Sequence, residues 1–146
     1  MTAAHTPAGA PAGFKQRAQL SPFNELTGPL YSRREGEGYV IGLRVLEKHC
    51  NRRGIMHGGM LATLADVALG NNLAHQSSPP RGMVTASLTI NFAGSAKVGD
   101  WLEAHVEVQK HGSRLSFANC YICCGEKRIA HASALFAFAG ERRADT

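Results

Sequence analysis

The sequence has little of what defines several large protein classes. No apolar run in its 146 residues approaches the roughly 20 residues of a membrane-spanning helix, and residues 1–13 lack the apolar stretch of a secretory signal. Four cysteines are too few for a disulfide scaffold. Lysines and arginines never stand more than two in a row, so the formal charge of +5 does not indicate nucleic-acid binding. We therefore expect a cytoplasmic protein that binds neither membranes nor nucleic acids.

The composition is that of an ordinary globular chain, with 44% hydrophobic and 18% charged residues. Residues 1–13 are small and rich in proline and glycine, and cannot bury enough surface to order themselves. The sequence therefore predicts a flexible N-terminal tail over residues 1–13 and a single domain over residues 14–146.

Hydrophobic periodicity predicts one helix and several strands. Residues 58–74 are apolar nearly all round, which is typical of a helix buried on most sides. Two strands are predicted within residues 30–46, and period-two alternation indicates four more between residues 84 and 138. Short turns between consecutive strands predict an antiparallel meander. The expected fold class is α+β, with one long helix packed against an antiparallel sheet.

The most informative segment runs from Asn51 to Asp66. His57, Gly58 and Gly59 stand where a loop becomes the long helix. The first amides of a helix have no partner within it, and glycine allows a ligand to approach them closely. This pattern favours a site for an anion or a developing oxyanion, although a glycine-rich helix start without any ligand has the same sequence.

Asp66 is the single acidic or basic residue between Gly58 and Ala74. A carboxylate in an apolar helix is costly unless it is paired, hydrated or at a surface, so such groups concentrate at functional sites. Capping of a neighbouring loop is the structural alternative. Gly58 and Asp66 stand eight residues apart, which is roughly 12 Å of helix. We therefore hypothesise that the site lies between two chains, each bringing its Asp66 towards the Gly58 of the other.

These motifs, together with the strand at residues 85–92 and the segment Ser-Ala-Lys-Val-Gly-Asp at residues 95–100, resemble the hotdog-fold acyl-CoA thioesterases. The resemblance covers about residues 39–138 and is strongest to the phenylacetyl-CoA (PaaI-type) thioesterases and their mammalian relative, thioesterase superfamily member 2. It implies an antiparallel sheet wrapped around one central helix. It also implies homodimers, often assembled as dimers of dimers.

The resemblance assigns a role to five residues. It implies that the Gly58 amide polarises the thioester carbonyl and that Asp66 acts as general base or nucleophile from the partner chain. Asn51 matches a loop asparagine near the attacking water, and His57 matches the histidine that shapes the site. Thr85 matches a Ser or Thr that positions water.

The implied substrate is an acyl-CoA, so coenzyme A enters as part of the substrate and no separate cofactor is expected. Its phosphates need cations, and the candidates are Arg52, Arg53, Lys97 and Arg114. Gly59 is expected to border the bound substrate, because it follows Gly58 at the helix start.

The cysteine pattern Cys120-Tyr-Ile-Cys123-Cys124 contains a CxxC but no second pair of ligands at zinc-site spacing. In a strand Cys120 and Cys123 would point to opposite faces. We therefore expect structural cysteines and no metal.

The leading functional hypothesis is hydrolysis of an aryl-, short- or medium-chain acyl-CoA to a carboxylate and free CoA. A non-catalytic acyl-CoA sensor or carrier with the same fold is the main alternative. A dehydratase acting on hydroxyacyl thioesters is a third, but its hydratase motif is absent from the sequence. The chemical product distinguishes the three.

Overall fold

The computed structural model describes residues 9–18, 20–77 and 82–140. Its elements are β1 (Lys15–Gln16), α1 (Pro22–Thr27), β2 (Tyr31–Glu35), β3 (Gly38–Arg44), a 3₁₀ turn (Glu47–His49), α2 (Gly58–His75), β4 (Met83–Phe92), β5 (Trp101–His111), β6 (Leu115–Cys124) and β7 (Lys127–Phe138). The long helix and the six main strands lie where the sequence predicts them. The sequence allowed a short helix within residues 14–26, with Ser21 and Pro22 as a possible start, and α1 begins there; β1 was not predicted.

One antiparallel sheet contains all seven strands, in the order β1-β2-β3-β5-β6-β7-β4. This confirms the α+β architecture. The predicted four-strand meander is wrong for β4, which pairs with β7 and not with β5. Eight residues separate β4 from β5, which is far longer than a tight hairpin turn and lets the chain cross to the other end of the sheet. Consequently β4 is an edge strand.

A β-bulge between Thr85 and Ser87 interrupts the pairing of β4 with β7. Strict alternation would place Thr85 on the face opposite Leu88 and Ile90. The extra residue, Ala86, reverses the alternation, so Thr85 shares the helix-facing side with them. Val84 correspondingly lies on the other face and is 53% exposed.

Helix α2 lies against the concave face of the sheet and supplies the centre of the core. Its buried side chains include Leu61, Leu64, Ala68 and Leu69, which meet strand residues such as Ile122. Each fully buried aliphatic side chain contributes roughly 1.5–3 kcal/mol. In the described part of the chain, no helix combines the length and the apolar character needed to cross a membrane.

Local sequence signals explain two of the connections. The Ser21 side chain accepts a hydrogen bond from the Asn24 amide, and Pro22 follows it as the first residue of α1. Gly36 adopts a φ of 59° in the turn that joins β2 to β3. Of the predicted tail, residues 1–8 lie outside the described residues, while the Gly9 carbonyl accepts a hydrogen bond from Arg44.

Candidate active site

The loop before α2 is a small hairpin, defined here as residues 49–57 and called the anchor hairpin. The His57 amide donates to the His49 carbonyl, and the Asn51 amide donates to the Ile55 carbonyl. The Asn51 side chain also accepts a hydrogen bond from the Arg53 amide at 2.9 Å. Asn51 therefore holds the turn of the hairpin, and its side-chain oxygen is engaged by backbone amides of this chain.

His57 is the N-cap of α2. Its Nδ1 accepts a hydrogen bond from the Gly59 amide at 2.8 Å, which satisfies one of the unpartnered donors of the helix start. No described residue accepts a hydrogen bond from the Gly58 amide. This amide carries part of the positive end of the helix dipole, so it is a donor available to an electronegative atom.

Phe92, the last residue of β4, covers the same helix start. A Cβ atom on Gly58 would lie 3.3 Å from Cζ of the Phe92 ring, so glycine gives the closest fit there. The ring is 53% exposed. An aromatic wall beside a free amide lowers the local polarity, which strengthens any hydrogen bond that the amide makes. The sequence pattern placed Phe92 at the end of a strand but gave no sign of this contact.

Asp66 lies on the partly exposed face of α2 and faces β4. Its Oδ1 accepts a hydrogen bond from the Thr85 hydroxyl at 2.6 Å. The bulge in β4 is what turns Thr85 towards the helix. The structure thus brings Asp66 and Thr85 together, and leaves the second carboxylate oxygen without a partner among the described residues.

Gly58 and Asp66 are not brought together within one chain. They stand at the first and ninth positions of the same straight helix, which separates their Cα atoms by roughly 12 Å. Gly58 neighbours the end of β4 at Phe92, whereas Asp66 neighbours its beginning at Thr85. One chain therefore carries the two halves of the predicted site at opposite ends of the edge strand.

The predicted phosphate-binding cations fall into two groups. Arg52 and Arg53 are exposed at the turn of the anchor hairpin, and Lys97 lies beside them because Ile55 and Lys97 form an isolated β-bridge. Arg114 lies in the β5–β6 connection at the far end of β5. Three of the four cations therefore share one end of the sheet, and Arg114 is at the other.

A cavity of about 330 Å³ opens beside the start of α2. Gly59, Met60 and Thr63 form its wall on the helix side, and Leu26 and Thr27 of α1 form the opposite wall. His49 lies at its base and is only 3% exposed. No sequence motif marked His49 or α1 as part of the site, since their contribution depends on tertiary contacts.

The cysteines take the positions expected of a strand. Cys120 is fully buried against the core, and Cys123 pairs with Glu103 on the outer face of the sheet. Burial raises the pKa of the Cys120 thiol to about 12. Among the described residues, no group of three or more His, Cys, Asp or Glu side chains has the arrangement of a metal site.

Sequence comparison finds relatives across most of the chain. The profile of the family described as the thioesterase superfamily matches residues 53–130. A Pseudomonas aeruginosa protein whose name places it among the esterases is 46% identical over 127 residues, covering 86% of this chain and 95% of the relative. Human acyl-coenzyme A thioesterase 13 is 28% identical over 108 residues, covering 73% of this chain and 76% of its own.

Solved structures share the fold. The Escherichia coli PaaI protein of the phenylacetic acid degradation operon superposes with a TM-score of 0.67 at 24% identity, over 73% of this chain and 76% of its own. A Bacillus halodurans protein crystallised with CoA superposes with a TM-score of 0.76 at 23% identity, over 86% of this chain and 83% of its own. At these identities the likeness establishes the architecture alone.

Proposed function

The chain belongs to the thioesterase superfamily, with the hotdog fold of its PaaI-type members, and we propose that it hydrolyses acyl-CoA thioesters in a site shared by two subunits. The observation that carries this proposal is the pair of half-sites at the two ends of β4. One half holds a free amide at a helix start, and the other holds a carboxylate oriented by a hydroxyl. Thioester hydrolysis needs both: a group that polarises the carbonyl and a group that activates water or attacks directly.

The Gly58 amide is the proposed polarising group. It points out of the first turn of α2, where it adds to the positive end of the helix dipole. A thioester oxygen that accepts its hydrogen bond gains negative charge in the tetrahedral transition state, so the interaction strengthens as the reaction proceeds. The Phe92 ring packs beside Gly58 and forms an aromatic wall next to this amide.

Asp66 is the proposed general base or nucleophile. The Thr85 hydroxyl donates to Oδ1, which leaves Oδ2 to take a proton from water or to attack the carbonyl carbon. In the first case the new C–O bond comes from water, the C–S bond breaks, and the CoA thiolate receives the proton that Asp66 had taken. In the second case Oδ2 bonds to the carbonyl carbon while the C–S bond breaks and the CoA thiolate leaves with a proton from solvent; water then hydrolyses the resulting anhydride, which releases the carboxylate and regenerates Asp66. The geometry is compatible with both routes.

The edge strand β4 supports the shared site. Its free edge carries a row of backbone donors and acceptors that can pair with a second copy. If two β4 strands pair antiparallel with Thr85 opposite Phe92 of the second chain, Asp66 of one chain approaches Gly58 of the other. A twofold axis then generates two equal sites from one interface. A homodimer is therefore the smallest active unit in this proposal, and pairing of dimers is not required.

The CoA phosphates are assigned to the cations at the anchor hairpin. Arg52, Arg53 and Lys97 lie at the same end of the sheet as Gly58, on exposed turns where a large polyanion can approach. Arg114 lies near the start of β4, at the Asp66 end. The antiparallel pairing brings it towards the cations of the second chain.

The test is release of free thiol from a panel of phenylacetyl-, hydroxyphenylacetyl-, benzoyl-, acetyl-, hexanoyl- and palmitoyl-CoA. The wild type is compared with Asp66→Ala and Asp66→Asn. We expect turnover of at least one aryl-, short- or medium-chain ester, reduced roughly 10²- to 10⁴-fold in both variants because the proton acceptor is lost. Asp66→Asn keeps the shape of the side chain, so it separates the charge from packing.

Glu126→Gln serves as the matched control, because Glu126 is an exposed carboxylate in the β6–β7 turn. It should hydrolyse the panel like the wild type. If no ester releases thiol while CoA esters still raise the melting temperature, the protein is an acyl-CoA binder and the enzymatic proposal fails. Formation of an unsaturated thioester would instead identify a dehydratase.

A further inference from the structure

His49 is a buried polar side chain whose contacts no catalytic role explains. It is 3% exposed, and both ring nitrogens are occupied. Nδ1 accepts a hydrogen bond from the Leu46 amide at 2.9 Å, while Nε2 bonds the Thr27 carbonyl at the end of α1. Because a carbonyl can only accept, Nε2 must carry the proton, so the ring is neutral and its tautomer is fixed.

The backbone of His49 carries a further contact. Its carbonyl accepts the His57 amide at 2.8 Å, and the next pair in the anchor hairpin is the bridge between Cys50 and Met56. The hydrogen bonds of the His49 ring hold the first strand of the hairpin in place. The second strand of the hairpin ends at His57, whose side chain caps the helix that presents the Gly58 amide.

Helix α1 is held to the hairpin largely through this corner. It has six residues, none of them buried, and Leu26 is 75% exposed. Apart from the bond between Thr27 and His49, Lys48 Nζ donates to the Leu26 carbonyl at 3.1 Å. The cavity beside Gly59 lies between α1 and α2, so its width depends on these contacts.

We propose that His49 is a positioning residue for the reaction: its neutral ring ties α1 to the anchor hairpin and thereby sets the Gly58 amide and the cavity beside it. This inference rests on the proposed function, because it names what holds one half of the shared site. His49 does not touch the reacting atoms. The effect of His49 reaches the reacting atoms in two steps. The His57 amide donates a hydrogen bond to the His49 carbonyl, and the His57 side chain caps the start of α2.

The arrangement tolerates no proton on Nδ1. A proton there would face the Leu46 N–H, placing two donors against each other and breaking the bond. The charged or titratable groups around the ring are Lys48 and Glu47 of its own turn, Cys50, and His57 across the hairpin. None of the described residues that line the cavity is a carboxylate that could stabilise an imidazolium. Protonation therefore loosens the hairpin, and turnover requires neutral His49.

Two substitutions separate the two ring contacts. The Asn oxygen in His49→Asn can replace Nδ1 as acceptor for Leu46, and the Gln amide in His49→Gln can replace Nε2 as donor to Thr27. His111→Asn, at the exposed end of β5, is the control. The full-length proteins are compared by kcat and KM from pH 5 to 8 on the best CoA ester. Amide hydrogen exchange of residues 50–58 is measured in parallel.

We expect kcat to fall about 10- to 100-fold in both His49 variants with a smaller change in KM, since misplacing a polarising donor affects the transition state most. Exchange across residues 50–58 should accelerate in both. As the pH is lowered, kcat of the wild type should approach that of His49→Asn, because only the wild type has a proton to gain there. The control should match the wild type throughout.

The inference is overturned if both variants keep the wild-type kcat, pH profile and exchange rates. It is also overturned if kcat per folded molecule is unchanged and only the melting temperature falls, since that is a purely structural role. Exchange does not depend on activity. If no CoA ester is hydrolysed, the proposed function fails, whereas faster exchange in the variants still supports the anchoring by His49.

Discussion

At the scale of single residues, the candidate site consists of a backbone amide and a carboxylate, each oriented by a neighbouring side chain. Asp66 stands out in the sequence because its helix carries no other charge. Its partner does not, because Thr85 reaches it only through a one-residue bulge in β4. A bulge leaves no reliable mark in a period-two pattern, so the alternation does not reveal that Thr85 faces the helix, and only the family resemblance had assigned Thr85 to the site.

Thr85 is expected to act through the hydrogen bond that its hydroxyl donates to Asp66. Thr85→Val keeps the size and β-branching of the side chain but removes the donor, so Asp66 loses its orientation. We expect kcat to fall by about tenfold, the value of one hydrogen bond to a charged group. Thr85→Ser restores the donor and should recover most of the activity. Equal kcat values for the Val and Ser variants in steady-state assays would contradict this role.

Gly58→Ala tests the fit at the helix start. The added Cβ lies 3.3 Å from the Phe92 ring, so the ring or the helix must shift by a few tenths of an ångström. We expect a lower kcat, because the amide and the aromatic wall move apart. Phe92→Leu relieves the crowding, so the double variant should regain melting temperature relative to Gly58→Ala. If the second substitution restores neither stability nor turnover, crowding against Phe92 is not the cause.

At the scale of elements, the sequence predicts those helix and strand bounds that hydrophobic periodicity and turn residues determine. The bounds of α2 and the turn at residues 35–38 follow from the apolar pattern and from glycine. The place of β4 does not, because strand order is decided by long-range pairing, and an eight-residue connection permits more than one neighbour. For helix α1, Ser21 and Pro22 indicated a possible start, but its extent could not be predicted because six residues without a buried face give no periodic signal.

The buried His49 in the anchor hairpin is expected to make the free energy of unfolding depend on pH. Burial lowers the pKa of His49 below its usual value near 6.5. At pH values between the lowered pKa of His49 in the folded protein and its usual pKa in the unfolded chain, the unfolded chain binds more protons than the folded one. The free energy of unfolding therefore falls as the pH drops below about 6.5, and this loss ends once the pH passes the lowered folded value. Above pH 6.5 His49 adds no slope.

His49→Asn removes this group from the titration. Urea unfolding at several pH values between 5 and 7.5 should show a shallower acid slope for His49→Asn than for the wild type, although its absolute stability is lower. His111→Asn controls for the loss of an exposed histidine and should keep the wild-type slope. Parallel slopes for all three proteins would show that His49 binds its proton equally in the folded and unfolded states.

At the scale of the whole molecule, the resemblance to a family and the geometry of one chain both support the proposal of a site shared by two subunits. The hypothesis of a shared site came from the spacing of Gly58 and Asp66. The structure adds that these residues neighbour opposite ends of an edge strand, at Phe92 and Thr85. Sharing requires two such edges to meet, and mixing of variant chains tests it.

Mixing two impaired variants of the proposed homodimer provides that test. Asp66→Asn lacks the proton acceptor and Gly58→Ala has a displaced amide, so each homodimer has two defective sites. In a mixed dimer, one site combines Asp66 of one chain with Gly58 of the other, and both are intact. Random exchange makes half of the dimers mixed, each with one of its two sites restored, so activity should return to about a quarter of the wild-type value.

The recovery should require subunit exchange. It should appear after the variants are unfolded together and refolded, and should stay absent when each is refolded alone and mixed briefly. Mixing Asp66→Asn with Thr85→Val is the matched control, because both substitutions lie in the same half-site. Every mixed dimer then has Gly58 in both chains. One of its sites carries the Asp66→Asn substitution, and the other has Asp66 without the Thr85 donor. That pair should therefore give no more than the weak activity of Thr85→Val. If the Asp66→Asn and Gly58→Ala mixture behaves as the sum of its parts, both groups act within one chain, and the sharing of the site across β4 is wrong.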